Sequence, residues 1–130
     1  GKRLLDGGVS DPIPVKWMLS RGYEKNVVVL TRDVKYRKKA NPKMQLFLKA
    51  VLHKYPAFLK DLEERHIHYN ETLEELSALE KEGRVHIIRP SSPIQAAMIE
   101  RDESNLERIY QTGRADMKKD LEKLKAYLDS

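Results

Sequence analysis

Leu4-Leu5-Asp6-Gly7-Gly8-Val9-Ser10-Asp11-Pro12-Ile13-Pro14-Val15 is the stretch on which the reading of this chain turns. Leu4-Leu5 supplies the apolar end of a strand. Asp6 follows on a turn whose two glycines permit positive φ and a close approach of the backbone. Pro14, with its fixed φ, can open a helix over Val15-Lys16-Trp17-Met18-Leu19. Asp-Gly alone is a common turn pair. Set between a strand end and a helix entry, it instead presents a carboxylate in a geometry suited to catalysis.

Outward from that stretch, Val27-Val28-Val29-Leu30 reads as a second strand, separated from Leu4-Leu5 by a helix of roughly ten residues that ends at Gly22. Such a unit crosses over right-handedly and makes its strands parallel. The run 27–30 is apolar on both faces, which is the pattern of a strand inside a sheet covered by helices. Arg84-Val85-His86-Ile87-Ile88-Arg89, between a helix stop at Gly83 and Pro90, is a third strand. Residues 43–54 read as a helix with Met44, Phe47, Leu48, Val51 and Leu52 as an apolar stripe, interrupted by Pro56, which opens the next helix. From Leu59, the positions Leu62, His66, Tyr69, Leu73, Leu76 and Leu79 recur every three or four residues, an amphipathic helix of roughly 25 residues. Clean heptads are too few for a coiled coil. Ser91-Ser92-Pro93 marks a loop, and Ile94 to Ile99 is left without a type. Ser104 to Gln111 reads as a helix closed by Gly113, and Ala115 to Leu128 as a final helix carrying Met117, Leu121, Leu124 and Leu128.

The opening stretch resembles the Asp-Gly-Gly/Ala element of patatin-like acyl hydrolases. The order that follows is similar to the C-terminal half of bacterial patatin-like phospholipases with a helical tail: Gly22, the strand Asn26 to Arg32, Tyr55-Pro56 to Arg65, Tyr69 and Asn70, Arg89-Pro90, and Leu106 to Gly113. The resemblance implies an α/β fold: a partial parallel sheet with covering helices, the C-terminal portion of a three-layer hydrolase domain over residues 1–90, and a helical C-terminal extension over 91–130. It also implies a Ser-Asp dyad without a cofactor. Asp6 would be the base, Gly7 and Gly8 would shape its turn, and Asp11, Pro12 and Pro14 would form the supporting loop. The nucleophilic serine of a Gly-x-Ser-x-Gly elbow and the glycine-rich oxyanion loop are absent from these residues, so both are expected before Gly1, in a missing N-terminal half. The implied reaction is hydrolysis of carboxylic esters of phospholipids or lysophospholipids through an acyl-enzyme, and the chain alone is expected to be inactive. Where the family often has Asn near the helix entry, this chain has Asp11-Pro12.

The chain has 130 residues, 40% hydrophobic and 35% charged, the size and composition of one globular domain. It contains no cysteine, which excludes a disulfide framework and favours a cytoplasmic setting. No apolar run approaches the roughly 20 residues that span a bilayer. The net charge of +5 is concentrated in Arg32, Lys35, Arg37, Lys38, Lys39 and Lys43. That run reads first as a solvated loop, next as a contact for anionic lipid headgroups at a membrane surface, and last as a nucleic-acid contact, because the helices are acidic and Tyr36 is the only aromatic within it. No nucleic-acid partner is expected.

Of the four histidines, His66 and His68 lie two apart on a helix and point apart, His53 belongs to another helix and His86 to a strand, so no metal site is expected. Glu63, Glu64, Glu74, Glu75 and Glu80 read as solvated faces with basic partners. Ser10 lacks an elbow glycine at the right spacing and reads as a turn hydroxyl, as do Ser91 and Ser92; Asp11 reads as the cap of the following helix. The alternative function is a noncatalytic helical interaction module that binds a partner through the 59–79 stripe. Because strand 27–30 is apolar on both faces, an uncovered strand edge or face and self-association are also expected.

Overall fold

The computed structural model describes residues 6–97 and 99–130. They form α1 (Val15–Ser20), β1 (Asn26–Val29), α2 (Pro42–Leu52), α3 (Pro56–Lys81), β2 (Val85–Ile88) and α4 (Glu103–Asp129), preceded by a 3-10 turn over Gly7–Val9. β1 and β2 pair in parallel with Asn26 opposite Val85 and Val29 opposite Ile88. The mixed α/β class, parallel sheet and covering helices are as the sequence led us to expect. The strand read at Leu4-Leu5 lies outside the described residues.

Both helices that lead into strands end the same way. Gly22 (φ 85°) and Gly83 (φ 72°) adopt the left-handed conformation that other residues rarely tolerate. After α3, the Gly83 N–H reaches the Glu80 carbonyl at 3.1 Å and the Arg84 N–H reaches that of Leu79 at 3.0 Å. After α1, Gly22 bonds to Leu19 at 3.0 Å and Tyr23 to Met18 at 3.4 Å. These are the paired bonds of a Schellman cap, which satisfies carbonyls the helix leaves open. Side-chain caps open the other two helices: α2 begins with Pro42 behind an Asn41 side chain that accepts the Met44 N–H, and α4 begins behind Asp102, which accepts those of Ser104 and Asn105.

The core is one layer deep. Val15 of α1, Leu76 and Leu79 of α3, and Val85 and Ile87 of β2 are buried together, with Ile13, Leu19, Val28, Leu30 and Leu73 packed around them. Each such side chain contributes roughly 1.5–3 kcal/mol through burial. On the opposite sheet face the cover lies over β2 and the start of β1. There α4 is held mainly by polar contacts: Asp120 meets His86 at 2.5 Å, Tyr127 stacks on the His86 ring, and Asp116 accepts the Ser91 N–H at 2.9 Å. That N–H is the first cause holding the Asp116 carboxyl below its ordinary range.

The uncovered face expected on strand 27–30 is present: Val27 and Val29 are 42% and 69% exposed, because α4 packs over β2 and meets β1 at Asn26, through Tyr127. Two other expectations are corrected. The α2 stripe is split: Leu48 and Leu52 turn partly inward, whereas Met44, Phe47 and Val51 face out. Gly113 does not end a helix, and the two helices read at 104–111 and 115–128 are one continuous α4. A helically spaced series, Ile109, Gly113, Met117, Leu121, Leu124 and Leu128, passes through the glycine, and the residues after it favour helix, so continuity outweighs the local penalty of roughly 1 kcal/mol.

Gly113 does not have positive φ, and a Cβ built on it meets nothing within 4 Å. Gly113→Ala should therefore stabilise the fold by about 1 kcal/mol, seen as a Tm increase of about 4 °C in thermal melts; an unchanged or lower Tm contradicts this account. The exposed β1 face should drive self-association that sedimentation at micromolar concentration detects and that Val29→Lys reduces. Identical sedimentation of the two proteins as monomers would count against it.

Candidate functional site

The Asp6 turn is built from short-range bonds and fixed from outside by one long-range bond. Asp6 caps the 3-10 turn, and its Oδ1 accepts the Gly8 N–H at 2.9 Å. The Val9 N–H returns to the Asp6 carbonyl at 3.1 Å, and the Ser10 and Asp11 N–H groups converge on the Gly7 carbonyl at 3.2 and 2.9 Å. From α3, Arg65 Nε donates to the Gly8 carbonyl at 2.9 Å across 57 positions of sequence. The turn is thereby fastened to the longest-packed helix of the core, while the Asp6 side chain stays exposed.

The glycines act differently from the expectation. Neither Gly7 nor Gly8 has positive φ. A Cβ at Gly7 meets nothing within 4 Å, whereas one at Gly8 would lie 3.4 Å from Asp6 Oδ1. A side chain at Gly8 would thus be in ordinary van der Waals contact with the carboxylate, so neither position demands glycine by strain or by close approach. Ser10 is a turn hydroxyl, its Oγ donating to the Gly7 carbonyl at 3.4 Å.

Asp11 does not cap α1. Pro14 occupies that position without any side-chain cap bond, and helical residues begin at Val15. A capping carboxylate reaches an N–H two or three residues ahead. The insertion of Pro12-Ile13-Pro14 places Asp11 too far back, and those prolines have no N–H to offer. Pro12 and Pro14 instead line, with Ile13, Val15, Met18, β1 and Tyr69, a largely apolar groove of about 510 Å³ along β1.

Beside the turn lies a set of cations on aromatic faces. Tyr36 and Tyr69 meet edge to face with ring centres 6.0 Å apart. The Arg32 guanidinium lies 5.0 Å from the Tyr36 ring centre and the Lys38 ammonium 5.4 Å from that of Tyr69. The Asn70 side chain clasps the Lys38 backbone, accepting its N–H at 2.8 Å and donating to its carbonyl at 3.0 Å. Burial, then the charges of Arg65 and Arg32, hold the Lys38 ammonium below its ordinary value. Burial pushes the Tyr69 phenol up, aided by Tyr36 and opposed by Arg32. Arg65 and Tyr69, four apart and on one face of α3, thus join the Asp6 turn to this basic loop. Their spacing was visible in the sequence, but the loop that packs on them was not.

That the turn does not need glycine at position 7 can be tested by substitution. Gly7→Ala should leave stability within about 0.5 kcal/mol, as expected for a strain-free surface site, with the Gly8 amide keeping its NMR shift. A large shift of that amide would show that the turn needs both glycines.

No curated protein and no solved structure matches the chain. A family model does match, over residues 55–129, from the residue before α3 to the last residue of α4. Arg65, Tyr69 and the α4 anchors Asp116, Asp120 and Tyr127 fall within it, and the Asp6 turn lies before it. The chain therefore belongs to the DUF6363 family, a domain of unknown function.

Proposed function

We propose that this chain contributes the catalytic aspartate of a Ser-Asp acyl hydrolase that cleaves carboxylic esters of phospholipids or lysophospholipids. The observation that carries the reading is the Asp6 turn: an exposed carboxylate on a backbone fastened by Arg65 to the core helix. A general base has to be held still while remaining accessible to its partner. In this reading Asp6 accepts the serine proton, Gly8 gives its N–H to hold the carboxylate, and Gly7 continues the turn. Asp11, Pro12 and Pro14 then lead the chain away along the groove beside β1. The serine and the oxyanion donors come from outside these 130 residues, and the resemblance at Leu4 to Val15 supports that division of labour.

A helical module that binds a partner through the 59–79 stripe is less well supported. Leu76 and Leu79 are buried in the core and Leu62, His66, Tyr69 and Leu73 are half-buried, so that stripe is already occupied by the chain's own elements.

Asp6→Asn, in a protein carrying this chain together with the serine elbow, should lower turnover at least a hundredfold, since a general base contributes about 10²–10⁴. Melting should change little. The 130-residue chain alone should not hydrolyse short-chain esters, lacking nucleophile and oxyanion donors. Normal turnover by the Asn variant would end the assignment of Asp6, and activity of the chain alone that disappears in Ser10→Ala would move the chemistry to Ser10.

A further inference from the structure

The face of α2 turned away from α3 is apolar. Met44, Leu46, Phe47 and Val51 are 50%, 72%, 62% and 57% exposed, on a helix of 11 residues. They cover, with Ala50, about half of the helix circumference at 100° per residue, an arc that Lys43 enters only in the first turn. The inner side is held to α3 by Lys49, 3.0 Å from Glu63, and by Gln45, whose side chain donates to the Glu63 carbonyl at 3.4 Å. The exposed side chains therefore project as a group from a helix fixed on its inner side.

Cations flank this platform. Lys35, Arg37, Lys38, Lys39 and Lys43 precede or open it, and Lys54 follows it. The lysines and arginines in ion pairs among the described residues are Lys16, Lys49, Arg84, Arg89 and Lys125. None of the five that lead into α2 is among them. We infer that α2 and the basic run before it form a docking surface for an anionic lipid bilayer, with Met44, Phe47 and Val51 entering the interface and Lys35, Arg37, Lys39 and Lys43 among the headgroups. An interfacial helix combines these features: an exposed apolar face, basic flanks and, at 11 residues, too short a span to cross the membrane. A juxtaposed lysine or arginine strengthens attachment to an anionic surface by about fivefold. The inference stands on α2 and its charges and does not depend on catalysis by Asp6.

The test is co-sedimentation of this chain with vesicles of phosphatidylcholine alone and of phosphatidylcholine with phosphatidylglycerol. Binding should require phosphatidylglycerol and weaken with added salt. Phe47→Glu with Val51→Glu should weaken it at least tenfold with the helical circular dichroism intact, whereas Lys118→Gln with Lys123→Gln on α4 should change it less than twofold. Emission from a Phe47→Trp variant should shift to the blue on the anionic vesicles alone. Absence of binding to those vesicles, or binding that the double glutamate variant retains, overturns the proposal. So does a dimer in vesicle-free solution that the same variant dissociates, since a second copy would then cover the face. Vesicle binding is read without ester turnover, so its failure leaves the assignment of Asp6 untouched.

Discussion

The packing of Leu76 and Leu79 beneath Val85 and Ile87 is the contact on which the other elements depend. Only five residue positions separate Leu79 from Arg84, and the Gly83 cap turns the chain between them, so helix and strand meet with little loop to order. This local α3–β2 unit presents the surface on which Val15 closes the core and the edge along which β1 pairs. The same helix carries Arg65 to the Gly8 carbonyl. One element thus supports both the hydrophobic layer and the turn that displays Asp6.

What could be read from the sequence follows from how local each determinant is. Gly22 and Gly83 each stand between a helical pattern and a β-branched run, and both became Schellman caps. Gly113 has the same residue type but a helical pattern on both sides, and there periodicity decides. The α3 boundaries were legible because Pro56 and Gly83 bracket an uninterrupted stripe. That strand 27–30 leaves a face uncovered was legible too, but which face was not, since an apolar run records which residues can be buried and not which helix arrives to bury them. In α4 the series Met117, Leu121, Leu124 and Leu128 suggests the packed face, yet Leu121 and Leu128 are exposed, whereas Asp116, Asp120 and Tyr127 make contacts with the rest of the chain. Polar anchoring of this kind leaves no hydrophobic period to detect.

For the candidate site, residue types were legible and their support was not. Asp6, Gly7 and Gly8 are adjacent in sequence, so a turn could be inferred. Arg65 is 57 positions away, and only the folded path of α3 brings it to Gly8. The family segment begins at Tyr55, so the buttress falls within it and the turn it supports falls outside. No helix among the described residues is long and apolar enough to cross a membrane. The exposed apolar side chains of α2 are consequently a matter of surface, of what rests on them and not of what they traverse.

Tyr127 has a further consequence. Its hydroxyl accepts the Asn26 N–H at 2.8 Å and lies 3.0 Å from the Arg84 carbonyl, bridging the two strands where their ladder begins. Lys25 adds a bond to the Leu128 carbonyl at 3.1 Å. Tyr127 and Asn26 are 101 positions apart. A contact that closes so long a loop is entropically unfavourable until the intervening chain is ordered. Tyr127 thus ties the last helix of the chain to the start of β1, and that contact becomes favourable only as far as the elements between the two residues are already ordered.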